Sequence, residues 1–307
     1  MSVRHLLNFK GWSGKELREV LDLALKVKNN QKQYWNSLDH LTMAMIFQKT
    51  STRTRVSFEV AMTQLGGHAI NLDWRSTNLV LAELKDEIRF LARNVDIIMA
   101  RVLTHEQLLE MVEYSRVPVI NGCDNKYHPT QALADFQTIL EHKGHLEGVN
   151  LVYAGIHNNV ANSLLEGGTK LGMKITLVTP EINQASLDQE LMDEAAKTGL
   201  YEHTLDLKTA VAKADVVYTD TWVDMEFFLD PKYAEEKKRR VDKMIPYQLN
   251  EELLKNSNAL IMHDMPIHTG YEITRDAVEH PNSIIFDQAE NRLHAEKAAI
   301  LRLLGKE

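Results

Sequence analysis

Hydrophobic positions recur in two rhythms along this chain. Leu17, Val20, Leu21, Ala24 and Leu25 follow helical spacing. Ser13-Gly-Lys-Glu16 in front of them fits a capping box, so a helix is predicted to start at Ser13. From Leu41 to Phe47 the apolar positions instead run together, as in a buried strand. A helix over Val56–Leu65 follows, stopped by Gly66-Gly67. Further short apolar runs lie at Asp96–Ala100 and Val117–Ile120, with helical stretches between them. This alternation reads as βα units around a mainly parallel sheet.

A second series begins near residue 149. Val149–Ala154, Ile175–Val178, Val216–Thr219, Ala259–Met262 and Ser283–Phe286 read as strands, most of them separated by helical patterns. Thr130–His142 reads as the helix joining the two series. Gln288–Leu304 reads as a last helix with Leu293, Ile300, Leu303 and Leu304 on one side. The predicted fold class is α/β, with two similar-sized parallel-sheet domains in tandem. The length of 307 residues agrees, at roughly 150 residues per domain. The polar stretch Asp230–Lys243 reads as a solvated loop or helix face.

Composition narrows the function classes. A formal net charge of -8 disfavours whole-surface attraction to nucleic acid or an anionic membrane. The single cysteine, Cys123, excludes an internal disulfide and a cysteine-based metal site, and fits a reducing cytoplasm. The first ten residues lack the apolar core of a secretory signal. No apolar run approaches the roughly 20 residues of a membrane span.

Three features carry candidate chemistry. Phe47-Gln-Lys-Thr-Ser-Thr-Arg-Thr-Arg55 follows a predicted strand and opens a helix. Hydroxyls and backbone N–H groups at a helix start form an anion site, and the Arg53 fork matches phosphate oxygens. The plain alternative is an N-cap cluster with surface arginines. The Gly-Lys pair of a Walker loop is absent. His128-Pro-Thr-Gln131 follows the Val117–Ile120 run and opens another helix, at the sheet edge where α/β ligands sit. A ligand-free helix start accounts for it nearly as well. Arg101 ends the 96–100 run, either reaching the same crevice or capping a strand at the surface.

Taken in order, these motifs resemble the aspartate/ornithine carbamoyltransferase family. Ser51-Thr52-Arg53-Thr54-Arg55 and His128-Pro129-Thr130-Gln131 are similar to its carbamoyl-phosphate signature. Asn158-Asn159-Val160-Ala161-Asn162-Ser163, Tyr218-Thr219-Asp220-Thr221-Trp222-Val223 and Glu290-Asn291-Arg292-Leu293-His294 resemble the ornithine branch. The likeness runs from about His5 to about Leu304. It implies a carbamoyl-phosphate domain over 1–143 and an amine domain over 144–287. The active site would lie between them, with the helix from 288 to 307 packing back on the first domain.

By that resemblance, Ser51, Thr52, Arg53, Thr54 and Arg101 hold the phosphate. Thr54, Arg101 and His128 polarise the carbamoyl oxygen, and Gln131 and Arg292 complete the site. The backbone carbonyls of Asp264 and Met265 accept from the carbamoyl NH2, and Met265-Pro266 is a candidate cis peptide. Asn159, Asp220, Asp224 and Met225 face the amine. The resemblance implies no metal or other cofactor and a homotrimer or a multiple of it. Asn78, in the divergent loop from Asp73 to Glu83, takes the position of a residue lent by a neighbouring subunit.

Two positions depart from the ornithine enzymes. Where they carry His-Cys-Leu-Pro, this chain has His263-Asp264-Met265-Pro266. Where they carry Asp-x-Trp-x-Ser-Met, it has Asp220-Thr-Trp-Val-Asp224-Met225, followed by a short insertion. Asp264 either takes the ammonium proton of the acceptor or turns aside and fills the cysteine's place. The expected reaction is carbamoyl transfer to ornithine, giving citrulline and phosphate. A different amine such as putrescine, or a non-catalytic paralogue that binds carbamoyl phosphate, are the alternatives.

Overall fold

In the computed structural model, which describes residues 3–223, 228 and 230–307, the chain forms two compact units. One comprises Met1–Gln137 with Glu290–Glu307, the other Thr138–Ala289. The divisions fall inside the helices Pro129–Lys143 and Ile285–Leu304, a few residues from the expected 143 and 287.

The first unit is built on a parallel sheet of β1 (Thr42–Phe47), β2 (His68–Asp73), β3 (Ile97–Arg101) and β4 (Val119–Cys123), in the order β2-β1-β3-β4. β1, β3 and β4 are buried almost without interruption, which is why their sequences are apolar runs and not alternating patterns. Ala44, Ile46, Ile98, Ala100 and Val119 pack with Ile88, Leu108 and Met111 in one core. The Gly14–Asn29 helix carries both halves of the Ser13/Glu16 capping box. It buries Leu17, Val20, Leu21 and Ala24, while Leu25 is only half-buried. Gly66 stops the Arg53–Gln64 helix at φ 86°, where a Cβ would lie 2.5 Å from the Trp35 carbonyl oxygen.

The second unit carries β5 (Asn150–His157), β6 (Lys174–Ile182), β7 (Tyr201–His203), β8 (Val216–Thr219) and β9 (Leu260–His263), in the order β7-β6-β5-β8-β9. Every pair is parallel. Val152, Ala154, Val178, Val217 and Ile261 form its core with Leu249, Ile273 and Ile285.

Three expectations are corrected. Ser283–Phe286 is not a strand: Ser283 makes a single bridge to Ile261, and Ile285 already opens the last helix. That helix buries Ala295, Ala298, Ala299, Ile300 and Leu301, leaving Leu293, Leu303 and Leu304 half-buried. The helix expected from Val56 starts at Arg53. The polar stretch does form a solvated helix, Ala234–Met244, where Arg239 bridges Glu236 and Glu181. Among the described residues no helix is long and apolar enough to cross a membrane.

Candidate active site

Each sheet reverses direction next to its first strand. In the first unit the chain leaves β1 for β2 on one side and then crosses to β3 on the other. Ligands of open α/β sheets gather at such switch points, beyond the C-terminal ends of the strands. Phe47 at the end of β1 is in register with Arg101 at the end of β3, and Gln48 N donates to the Arg101 carbonyl at 2.9 Å. Residues 51–54 after β1 and the Arg101 side chain are therefore delivered to one sheet edge.

The Arg53–Gln64 helix starts with no side-chain cap and no acidic residue in its first turn. Its first N–H groups thus present the partial positive charge that favours an anion. Ser51 and Arg53 are half-buried and Thr52 is exposed, whereas Thr54 is buried. Arg55 points to solvent and pairs with Glu59 at 3.7 Å, so the two arginines of the motif serve different ends.

The Thr54 hydroxyl accepts from Arg292 Nη2 at 3.1 Å and lies 3.5 Å from Arg101 Nη1. Arg292 Nη1 donates to Gln131 Oε1 at 2.6 Å, and Gln131 Nε2 donates to Asp135 at 2.8 Å. Arg292 also donates twice to Glu296 Oε1, from Nε at 3.2 Å and Nη2 at 2.9 Å. His128 is buried one residue before the Pro129–Lys143 helix. Burial holds its pKa well below the ordinary histidine value, and the charges of Arg292, Arg101 and Arg53 press it further down. The imidazole is neutral at pH 7. Thr54, Arg101, Gln131 and Arg292 thus form one cationic cluster, with Arg53 and His128 beside it and Ser51 and Thr52 immediately before it in the chain. Asn78 lies apart from these contacts, opening the short Asn78–Val80 turn.

In the second unit the switch point lies between β5 and β8. Ala154 is in register with Thr219, and Thr219 with His263. The residues that follow these strands, Asn158-Asn159, Asp220 and Asp264, stand along one edge. Asn158 is the N-cap of the Asn159–Lys170 helix: its Oδ1 accepts from the Val160 and Ala161 N–H groups. Its Nδ2 donates to Asp220 at 2.6 Å. The Tyr153 hydroxyl reaches the same Asn158 Oδ1 at 3.2 Å. Burial raises the Tyr153 pKa far above its usual value, and the charges of Asp220 and Asp264 raise it further. Both carboxylates therefore bear on one buried phenol. Asp224 and Met225, expected on the amine, lie outside the described residues.

A buried pair holds the turn after β9. His263 Nε2 is 3.0 Å from Glu272 Oε1, and both side chains are fully buried. His263 Nδ1 accepts the Met265 N–H at 2.8 Å, which fixes the turn carrying Asp264. Met265–Pro266 is cis.

Four participants were given no role by sequence reasoning. Asn158 carried a legible signal, an asparagine directly before a helical run. Tyr153 and Glu272 carried none, since core tyrosines and loop glutamates are common. Glu296 sits four residues after Arg292, a spacing that predicts an ion pair but more often a solvated one. Among the described residues no group of three or more His, Cys, Asp or Glu side chains is arranged to hold a metal.

The family model for the carbamoyl-phosphate-binding domain of aspartate/ornithine carbamoyltransferases matches residues 4–141, and the model for the Asp/Orn-binding domain matches 147–303. An ornithine carbamoyltransferase of Archaeoglobus fulgidus is 44% identical, covering 99% of this chain and 99% of its own length. The solved ornithine carbamoyltransferase of Pyrococcus furiosus superposes with a TM-score of 0.91 at 43% identity, over 99% of this chain and 98% of that one. The Thermus thermophilus enzyme of the same name gives 0.86 at 38%, over 98% of each chain. With both domain models matched in order and relatives of this identity over its whole length, the chain belongs to the aspartate/ornithine carbamoyltransferase family.

Proposed function

We propose that the protein transfers the carbamoyl group of carbamoyl phosphate to the side-chain amine of ornithine, giving citrulline and phosphate. The observation that carries the reading is Arg292. It comes from the last helix and meets Thr54 and Gln131, from the two motifs of the carbamoyl-phosphate signature. Full-length relatives named ornithine carbamoyltransferase support the same acceptor.

In this reading the first unit binds carbamoyl phosphate. The phosphate sits on the N–H groups at the helix start and the hydroxyls of Ser51, Thr52 and Thr54, flanked by Arg53 and Arg101. The carbamoyl oxygen takes hydrogen bonds from Thr54, Arg101 and His128. The second unit supplies the amine side through Asn159, Asp220, Asp224 and Met225, with the Asp264 and Met265 carbonyls accepting from the carbamoyl NH2. An amine of lysine type has a pKa of about 10.4 and must lose a proton before attack. Its nitrogen then bonds to the carbamoyl carbon and an oxyanion forms; the oxyanion collapses to the carbonyl as the bond to the phosphate oxygen breaks, and the nitrogen's surplus proton leaves with the phosphate. Fixed positive charge beside the oxyanion and the leaving phosphate lowers the barrier.

One observation favours a second acceptor. Asp220 and Asp264 both bear on Tyr153, an acidic setting suited to a diamine such as putrescine. Comparing ornithine and putrescine as acceptors, by product and by phosphate release, separates the two. A homotrimer, or a multiple of it, with Asn78 lent to a neighbour belongs to the same proposal. Activity and light scattering should fall together on dilution, and a fully active monomer contradicts it. A cytoplasmic setting is proposed because Cys123 is the single cysteine of the sequence, which fits a reducing compartment.

A further inference from the structure

Among the buried ionisable groups of the first unit that the mechanism above leaves without a task, Glu296 is the one in contact with Arg292. Glu296 is fully buried, and its Oε1 takes two hydrogen bonds from Arg292, at 2.9 and 3.2 Å. Among the described residues its other oxygen, Oε2, is buried with no hydrogen-bond partner within 3.5 Å. The same guanidinium also reaches Thr54 and Gln131. Arg292 is therefore shared between a fixed internal anion and the wall that would receive an external one. A buried carboxylate is poorly solvated, and this one holds its charge chiefly through Arg292, with the Ser57 hydroxyl as a lesser support.

We propose that Glu296 is a proton-linked positioning residue: ionised, it holds Arg292 in the empty pocket, and it takes up a proton when the phosphate of carbamoyl phosphate claims that guanidinium. This rests on the carbamoyl-phosphate reading of the pocket. The proton comes from solvent, and no covalent bond changes. A second anion on the same cation weakens the attraction that keeps Glu296 charged and adds repulsion, so both effects favour the neutral acid. The neutral carboxyl still accepts from Arg292 through its carbonyl oxygen, so the fork keeps its aim.

The charges facing Glu296 are few. Its own helix supplies Arg292, and the Arg53–Gln64 helix presents only the hydroxyl of Ser57, a hydrogen-bond partner. Burial raises its pKa to about 7, placing the linkage near neutrality. Its neighbour Lys297 is pushed down by burial to about 8 and also titrates there, but its ammonium bonds Gln64. His128 is already neutral in this window.

The sign follows from the linkage. The complex binds the proton more tightly than the free protein, so affinity falls as pH rises above about 7. The fall is at most about tenfold per pH unit until the pKa of the complex is passed. Calorimetric titration of the full chain with carbamoyl phosphate near pH 8, in two buffers of different ionisation enthalpy, reads the proton directly. Wild type should take up a proton fraction approaching one per site, and Glu296→Gln should abolish that part. The glutamine keeps an acceptor for Arg292 and cannot ionise, so its affinity at pH 8 should equal or exceed that of wild type. A merely structural ion pair predicts weaker binding by Glu296→Gln at every pH. Binding with no buffer dependence in wild type, or with the same uptake in Glu296→Gln, overturns this inference alone. No binding of carbamoyl phosphate by wild type at any pH overturns the proposed function and this inference with it.

Discussion

Replacing Arg292 by lysine keeps the positive charge and removes the planar fork. Arg292 spans three acceptors at once: Gln131 at 2.6 Å, Thr54 at 3.1 Å and Glu296 at 2.9 and 3.2 Å. A lysine ammonium is a point donor on a shorter reach and cannot bridge all three. The strongest pull on it is the buried Glu296 carboxylate, so it should settle there and release Thr54 and Gln131. Each hydrogen bond to a charged donor contributes about 1.5–3 kcal/mol. Loss of one such contact at the transition state corresponds to roughly 10²-fold in rate. Global stability should change less than in Arg292→Met, which strands the buried Glu296 at a cost of about 3–5 kcal/mol. Steady-state citrulline formation, with carbamoyl phosphate varied and thermal unfolding in parallel, tests this. A folded Arg292→Lys protein that loses less than about fivefold in kcat/KM, ~1 kcal/mol, refutes the assignment of the fork to the pocket.

Two further outcomes follow from the same geometry. The folded-state pKa of Glu296 is raised from 4.5 to about 7, so the folded chain binds that proton more tightly than the unfolded one. Its contribution to stability is full below about 4.5 and is lost as pH rises to about 7, roughly 3 kcal/mol in all. Denaturant titrations at pH 5 and 8 should show this loss in wild type relative to Glu296→Gln, and parallel profiles would count against it. Asp264→Cys should raise ornithine turnover relative to putrescine. It thins the like charge gathered beside Asp220, which the second ammonium of a diamine would offset and the α-carboxylate of ornithine would not. An unchanged or lower ratio would show that Asp264 faces away from the acceptor.

Much of this was legible in the sequence because strand ends and helix starts carry their own chemistry. Arg101 closes a buried apolar run, the Ser51–Thr54 cluster follows another, and His128 precedes a helix-opening proline. Local pattern set each at a strand end or helix start and left a plain alternative open, and the roles came from the family resemblance. What escaped depends on tertiary context. β2, His-Ala-Ile-Asn-Leu-Asp, is an edge strand with an exposed side and too few apolar residues to stand out. β7 is three residues long and also at an edge. Ser283–Phe286 misled in the opposite direction, since a short apolar run does not distinguish a strand from the start of a buried helix. Arg292 and Glu296 are four apart in the sequence, but only the fold reveals that both side chains are almost wholly enclosed.

Carbamoyl phosphate supplied with ornithine, putrescine and a panel of other primary amines, with carbamoylated product and released phosphate measured together, identifies the acceptor. Citrulline should form in step with phosphate, with a higher kcat/KM for ornithine than for any other amine. Phosphate release without a carbamoylated product, no turnover with any amine, or a preference for putrescine over ornithine would contradict the proposed function.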